Sequence, residues 1–139
     1  MYDMPEEIDV QADGALRIIT LNRPDDLNAV NDNLHVGLAR LWDALNEDAG
    51  ARAAVITGAG RAFSAGGDFT YLDELRSDEA LRQKTIKHGR DIVIGMVRCR
   101  IPLTAAVGLG CSLAALSDVV YIAENAFFAD PHVSIGLVA

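Results

Sequence analysis

The sequence predicts an α/β fold, and two features of its hydrophobic pattern support this prediction. Short apolar runs of strand length alternate along the chain with longer segments that carry apolar residues at helical spacing. Half of the 139 residues are hydrophobic, which is enough to build one domain around its own core. Because no repeat, low-complexity segment or linker interrupts the pattern, we expect a single domain over residues 1–139.

The first half of the chain predicts a hairpin, a helix and a buried strand. Two alternating segments flank Asp13-Gly14, a pair typical of hairpin turns. A loop over 22–26 leads into an amphipathic segment, and a continuous apolar run follows it. The predicted elements are strands over 8–11, 16–21 and 53–57 and a helix over about 31–46.

The second half continues the alternation of helices and strands. After a glycine-rich loop, Tyr71, Leu72 and Leu75 indicate a short helix, and a longer amphipathic helix follows. The apolar run after Pro102 predicts another fully buried strand. The predicted elements are helices over 78 to about 98 and over 110–116, and strands over 102–107, 118–123 and 126–129.

Composition and charge exclude several classes of function. The chain has 20 acidic and 12 basic residues, a net charge of −8, and no cluster of basic residues, so nucleic acid is not an expected partner. Cys99 and Cys111 have no second ligand at metal spacing, so we expect reduced thiols, a cytoplasmic protein and no metal site. The acidic N-terminus does not resemble a signal peptide, and the longest weakly polar run, 101–116, is too short for a membrane helix.

The most informative stretch is the glycine-rich loop over 61–69. It follows the predicted strand 53–57 and contains the adjacent pair Gly66-Gly67. Small residues and adjacent glycines let a ligand approach the main chain closely. Free backbone N–H groups at such a loop could hold an oxygen that gains negative charge during a reaction.

A dinucleotide-binding loop is an alternative for the neighbouring segment 55–60, which contains Gly58 and Gly60 after a strand. The third glycine of that fingerprint is missing, because position 63 is Phe, and no helix clearly begins there. A phosphate-binding P-loop is excluded because the chain has no Gly-Lys-Ser/Thr sequence.

A serine nucleophile is a second alternative. The segment 110–114 is similar to a loose nucleophile elbow around Ser112, and Asp118 or Asp130 and then His132 follow in the order that hydrolases use. The separation between Ser112 and His132 is short, however, and the second glycine of the elbow is replaced by alanine. The simpler interpretation is that Ser112 is a small residue at a tight contact between a helix and a strand.

The three histidines have different expected roles. His35 and His88 fall on predicted helices, where we expect both to be solvated. His132 follows a strand, where a side chain can face a cleft, and its ordinary titration range suits proton transfer near neutral pH. A purely structural histidine at this position is the alternative.

Taken in order, several short motifs resemble the crotonase, or enoyl-CoA hydratase/isomerase, superfamily. Each motif is weak alone, but their order along nearly the whole chain is specific. The matching segments are 19–24 with Asn28-Ala29, 54–58, 63–68, 101–102 with 105–107, 108–114, Ser117-Asp118, 124–126 and 130–132.

This resemblance implies a crotonase-like spiral of ββα units that assembles as a homotrimer or a dimer of trimers. It also implies an acyl-CoA substrate, with coenzyme A entering as part of that substrate and no permanently bound cofactor. The thioester oxygen would be held by the backbone N–H groups of Gly67 and Leu109. The residues that match coenzyme A contacts are Asp26, Leu27, Ala29, Ala65, Gly66, Gly67, Asp68, Phe69 and Pro131.

The chain also departs from the family pattern. The two glutamates with which hydratases of this family add water are matched by Ser112 and His132, so the two-carboxylate mechanism does not carry over. A loop of about five residues is absent where Val107 joins Gly108, and about half the family's length is absent after Ala139, so we expect an incomplete domain. Isomerase, decarboxylase or thioesterase-like chemistry using His132 or Ser112 becomes an alternative to hydration, as does a non-catalytic acyl-CoA-binding protein.

Overall fold

The computed structural model describes residues 2–107 and 112–126 of the chain. They form a five-stranded sheet in the order β1-β2-β3-β4-β5. The β1–β2 pair is antiparallel, and the other three pairs are parallel. The strands are β1 (Ile8–Asp13), β2 (Leu16–Leu21), β3 (Ala53–Gly58), β4 (Leu103–Val107) and β5 (Val119–Ile122).

The helices begin where the sequence supplies a side chain that accepts hydrogen bonds from free N–H groups. Asn31 accepts from the Leu34 N–H at 2.9 Å, and Asp78 accepts from the Leu81 N–H at 2.9 Å. The helices are α1 (Asp32–Glu47), α2 (Phe69–Ser77), α3 (Glu79–Val97) and α4 (Ser112–Ala115), with a 3-10 turn over Pro24–Asp26. Asp78 separates α2 from α3, so the chain can change direction between them.

The core lies where α1 is enclosed between the sheet and α3. Trp42 of α1 is fully buried, and a Cβ atom on Gly95 of α3 would lie only 2.6 Å from its ring. The two helices can therefore approach closely only because position 95 has no side chain. The sheet contributes the fully buried Ile19, Leu21 and Ile56.

Parallel pairing brings the carboxyl ends of β2, β3 and β4 to the same side of the sheet. Leu21 pairs with Gly58 where β2 and β3 end, and Ile56 pairs with Ala105 near the end of β4. We call this side the carboxyl edge and the opposite side the amino edge. Ligands of parallel sheets commonly bind where such loops leave the strands.

The α/β prediction is confirmed, including the hairpin turn, where Gly14 has a φ of +56°. The predicted helix over 110–116 is described only from Ser112, and most of the predicted strand 126–129 lies outside the described residues. β5 forms as predicted, but its apolar side chains are exposed, with Tyr121 at 69%. In the described part of the chain, no helix is long and apolar enough to cross a membrane.

The prediction that His35 and His88 are solvated was wrong. Both side chains are partly buried where α3 packs against α1, and their rings lie 6.1 Å apart. The positions of these residues within single helices could not show that the two helices bring them together.

Candidate active site

The candidate site is formed by two loops at the carboxyl edge, one after β2 and one after β3. Val30 of the first loop pairs with Gly67 of the second as an isolated parallel bridge. The Val30 N–H donates to the Gly66 oxygen at 2.7 Å, and the Asp68 N–H donates to the Val30 oxygen at 3.0 Å. In this pattern Gly67 lies between the two bonded peptide groups, so its own N–H and C=O point away from Val30.

The Gly67 N–H is therefore a free donor. It has no hydrogen-bond acceptor within residues 2–107 and 112–126, and Gly67 itself is exposed. A Cβ atom at this position would lie 3.1 Å from the Leu72 side chain, so the lack of one leaves room between the loop and α2. A free main-chain donor of this kind can bind an anionic or carbonyl oxygen.

The structure brings together most of the predicted coenzyme A contacts. The Ala65 N–H donates to the Leu27 oxygen at 3.0 Å, which joins the two loops beside the Val30–Gly67 bridge. Phe69, the first residue of α2, is 82% exposed. The predicted contacts in the described region share this one surface, and they are Asp26, Leu27, Ala29, Ala65, Gly66, Gly67, Asp68 and Phe69.

Four other sequence predictions are not tested by the described geometry. Leu109, Pro131 and His132 lie outside the described residues. Ser112 is the first residue of α4. The predicted loop deletion between Val107 and Gly108 borders the same undescribed segment and stays a prediction.

Asn28 is a structural residue of the site whose role the sequence analysis missed. Its side chain is fully buried and donates to the Ala59 and Ala62 oxygens at 2.8 and 2.7 Å, while its own oxygen accepts from the Arg23 N–H at 2.8 Å. It therefore ties the loop after β2 to the loop after β3. Its positive φ of 56° follows another at Leu27, a conformation in which asparagine is more favourable than most residues.

Asp68 and Arg23 form the main charged contact between the loops. One oxygen of Asp68 accepts from both terminal nitrogens of Arg23 at 3.1 Å, and the other caps α2 by accepting from the Thr70 and Tyr71 N–H groups. Burial alone would raise the pKa of Asp68, but the hydrogen bonds from Tyr71, Arg23 and Thr70 outweigh burial and lower it. Asp68 is thus a carboxylate at neutral pH.

Gly58 has a role in packing and not in binding a dinucleotide. A Cβ atom there would lie 2.3 Å from the Ala62 oxygen and 2.5 Å from the Phe63 oxygen, because the loop folds back against the strand end. No helix begins in this segment, since α2 begins only at Phe69. The dinucleotide-binding alternative is therefore not supported by the described structure.

The surroundings of the site are acidic on one side. A shallow cleft of about 280 Å³ next to Arg23 is lined by four carboxylates, those of Glu6, Glu7, Asp25 and Asp26. In the described residues, no group of three or more His, Cys, Asp or Glu side chains could hold a metal ion.

The fold and the paired loops define an α/β protein that presents, at the carboxyl edge of its parallel strands, a main-chain donor with no acceptor among residues 2–107 and 112–126. The chain belongs to the enoyl-CoA hydratase/isomerase family, whose model matches residues 11–139, and its fold is crotonase-like. This confirms the family and the fold that the sequence motifs predicted.

Known relatives include both hydratases and isomerases. The mitochondrial enoyl-CoA hydratase of Pongo abelii is 35% identical over 126 residues, covering 87% of this chain and 42% of that protein. The peroxisomal Delta(3,5)-Delta(2,4)-dienoyl-CoA isomerase of Arabidopsis thaliana is 28% identical, covering 99% of this chain and 55% of that protein. The chain thus spans about half the length of the curated relatives it matches.

The crystal structure of an enoyl-CoA hydratase/isomerase from Mycobacterium paratuberculosis is more similar. It is 73% identical, with a TM-score of 0.97, and the alignment covers 99% of this chain and 57% of that one. The comparisons therefore support an enzyme of the hydratase/isomerase family and leave its reaction open.

Proposed function

We propose that this protein binds an acyl-CoA and stabilises the enolate of its thioester. The Gly67 N–H and the Leu109 N–H would together donate to the thioester oxygen as negative charge develops on it. In comparable sites, one such donor contributes about 3 kcal/mol to transition-state stabilisation. The chemistry needs no permanently bound cofactor, and coenzyme A is part of the substrate.

One observation carries this proposal: the Gly67 N–H is turned away from Val30, exposed, and unpaired among the described residues. Because Gly67 is exposed, water can accept from this N–H in the free protein, and a carbonyl oxygen of a ligand can take the place of that water. The exposed ring of Phe69 beside it suits contact with the adenine or pantetheine part of coenzyme A.

The reaction that follows enolate formation depends on Ser112 and His132, which stand where hydratases carry glutamates. A serine hydroxyl is a poor base near neutral pH, so we propose His132 as the acid or base and Ser112 as a residue that orients water or substrate. Isomerisation, decarboxylation and thioester hydrolysis are then open beside hydration.

Acetoacetyl-CoA gives the most direct test of enolate stabilisation. Its enolate absorbs in the near ultraviolet, so titration of the bound ligand measures the enolisation constant. We expect binding to raise this constant at least about tenfold over the value in solution, because one tenfold step needs only about 1.4 kcal/mol. An enolisation constant equal to that in water would contradict the proposal.

The reaction type needs a separate experiment. We expect a His132→Ala variant to lose most turnover in a panel of crotonyl, malonyl and 3-hydroxyacyl thioesters while it still binds coenzyme A. Unchanged turnover would remove His132 from the mechanism. Binding without turnover in the unmodified protein would favour a non-catalytic acyl-CoA-binding protein.

A serine hydrolase mechanism makes a different prediction. Fluorophosphonate probes label an activated serine covalently. Labelling that is lost in a Ser112→Ala variant would support a nucleophilic Ser112, whereas we expect no labelling if Ser112 only orients the substrate.

Assembly and location are part of the proposal as well. We propose a cytoplasmic homotrimer or dimer of trimers, as the family resemblance implies. Sedimentation equilibrium distinguishes these states, since they have three or six times the mass of the single chain. A single-chain mass at micromolar concentration would contradict the proposed assembly.

A further inference from the structure

We infer that the ion pair between Arg23 and Asp68 positions the Gly67 N–H for its ligand. The inference rests on the proposed function, because it concerns the donor that would bind the thioester oxygen. Asp68 follows Gly67 directly, and the Gly67 N–H belongs to the preceding 66–67 peptide, so a displacement of Asp68 reaches this N–H through the Gly67 backbone. Neither Arg23 nor Asp68 is expected to touch the reacting atoms, and both are therefore positioning residues.

Asp68 is held on three sides. Its main-chain N–H donates to the Val30 oxygen at 3.0 Å, one carboxylate oxygen caps α2, and the other accepts two bonds from Arg23 at 3.1 Å. The side chains of Arg23 and Asp68 are only 15% and 18% exposed, so water screens their attraction less than at an open surface. These contacts fix the residue next to Gly67 in position and in orientation.

Arg23 joins Asp68 to the opposite loop. Its Nη1 also donates to the Ala29 oxygen, and its Nη2 donates to Asp26 at 2.7 Å. Ala29 precedes Val30, the partner of Gly67 in the bridge. One guanidinium therefore contacts both sides of the single bridge that sets the direction of the Gly67 N–H.

A bridge of one residue pair is weak by itself. Among the described residues, three main-chain bonds join the two loops, from Ala65 to Leu27, Val30 to Gly66 and Asp68 to Val30, and only the last two flank Gly67. Without the ion pair, we expect the Gly67 N–H to lose its fixed direction while the loop remains folded. Displacement of a catalytic group by about 1 Å can lower a rate by about 100-fold, so a small loss of order is enough to be measured.

An Asp68→Asn variant separates the ion pair from the helix cap. Asparagine is as good a capping residue as aspartate, so α2 should keep its N-terminal hydrogen bond. The neutral amide removes the charged partner of Arg23. We expect the enolisation constant of bound acetoacetyl-CoA to fall about tenfold. The affinity for coenzyme A, which has no thioester carbonyl, is measured separately because Asp68 is itself a predicted coenzyme A contact.

Arg23 variants and a distant ion pair complete the experiment. Arg23→Gln should lower the enolisation constant as Asp68→Asn does, and Arg23→Lys should restore part of it, because lysine keeps the charge but not the paired donors. The matched control is Asp48→Asn, which breaks the Arg17–Asp48 pair (2.7 Å) at the other end of β2. This control should not change the enolisation constant, although it lowers thermal stability.

The possible results separate this inference from the proposed function. A wild-type protein that does not stabilise the enolate overturns both. A wild-type protein that does, together with Asp68→Asn and Arg23→Gln variants that match it, overturns only the positioning role. Circular dichroism identifies a misfolded variant, and if Asp68→Asn misfolds, the comparison of Arg23→Lys with Arg23→Gln decides the question.

Discussion

The two ends of β2 carry ion pairs of the same chemistry in different surroundings. At the amino edge, Arg17 donates to Asp48 at 2.7 Å, and the Tyr2 hydroxyl donates to the same carboxylate at 2.7 Å. At the carboxyl edge, Arg23 donates to Asp68 at 3.1 Å, next to the Gly67 N–H that faces away from Val30. The first pair fastens the end of α1 to the sheet, whereas the second fastens two loops to each other.

This difference shows how one kind of contact serves two purposes. The Arg17–Asp48 pair joins elements that the hydrophobic core already holds in place, so its removal should affect mainly stability. The Arg23–Asp68 pair lies where few apolar contacts hold the backbone and Ala65, Gly66 and Gly67 are exposed. Its removal should affect mainly the geometry of the loop.

Glycine substitutions give the largest expected contrast between the two edges. Gly58→Ala places a methyl group 2.3 Å from the Ala62 oxygen, so we expect the free energy of unfolding to fall by about 3 kcal/mol or more. Gly50→Ala at the amino edge meets its nearest atom, on the Arg17 side chain, at 3.1 Å and should cost less than about 1 kcal/mol. Urea unfolding measures both values, and equal costs would contradict the close approach at Gly58.

Two asparagines give the next contrast. Asn28→Ala leaves three main-chain groups of the carboxyl-edge loops without their partner, so we expect a loss of about 2–4 kcal/mol. Asn46→Ala removes contacts to Arg98 and Arg100 near the protein surface and should cost about 1 kcal/mol. Chemical denaturation of both variants tests the prediction, which is wrong if Asn46→Ala is the more destabilising.

Acid should affect the amino edge more than the carboxyl edge. Hydrogen bonds from Arg17, Tyr2 and the Gly50 N–H hold the pKa of Asp48 far below its ordinary value, and the pKa of Asp68 is lowered less strongly. Because both carboxylates have lower pKa values when folded than when unfolded, their contribution is present above about pH 4 and is lost as the pH falls further.

Stability measured between pH 2.5 and 6 tests this contrast. We expect the free energy of unfolding to fall less between pH 4 and pH 2.5 in the Asp48→Asn variant than in the Asp68→Asn variant. If the free energy of unfolding depends equally on pH in the two variants, the fold stabilises the ionised form of Asp48 no more than that of Asp68.

The histidine pair should give the smallest effect, and it is independent of both edges. Burial lowers the pKa values of both His35 and His88. The charges of His88 and Lys84 add to this at His35, and the charges of Lys84 and Lys87 add to it at His88. A histidine with a lower pKa when folded destabilises the fold as the pH falls below about 6.5, because the unfolded chain binds the proton more readily. A His88→Gln variant should therefore lose less stability between pH 7 and pH 5 than the unmodified protein, as thermal unfolding would measure.

Most of the fold followed from local sequence patterns, because strand alternation and helical spacing report directly on which face is buried. The glycine pair at 66–67 likewise marked the candidate site. The roles of Asn28 and Arg23 did not follow, because their partners are distant in sequence and lie in another loop. The contact between His35 and His88 was missed for the same reason, since neither helix alone indicates which face the other covers.

The N–H at position 67 belongs to the main chain, which has a consequence for mutagenesis. Alanine scanning of the loop leaves it in place and would record only effects of shape and backbone freedom, and proline would remove it only while also fixing φ and adding a ring. Replacing the 66–67 peptide with an ester by chemical ligation would remove that single hydrogen and leave every side chain in place. Such a backbone-edited protein isolates this donor in a way that no genetically encoded variant can.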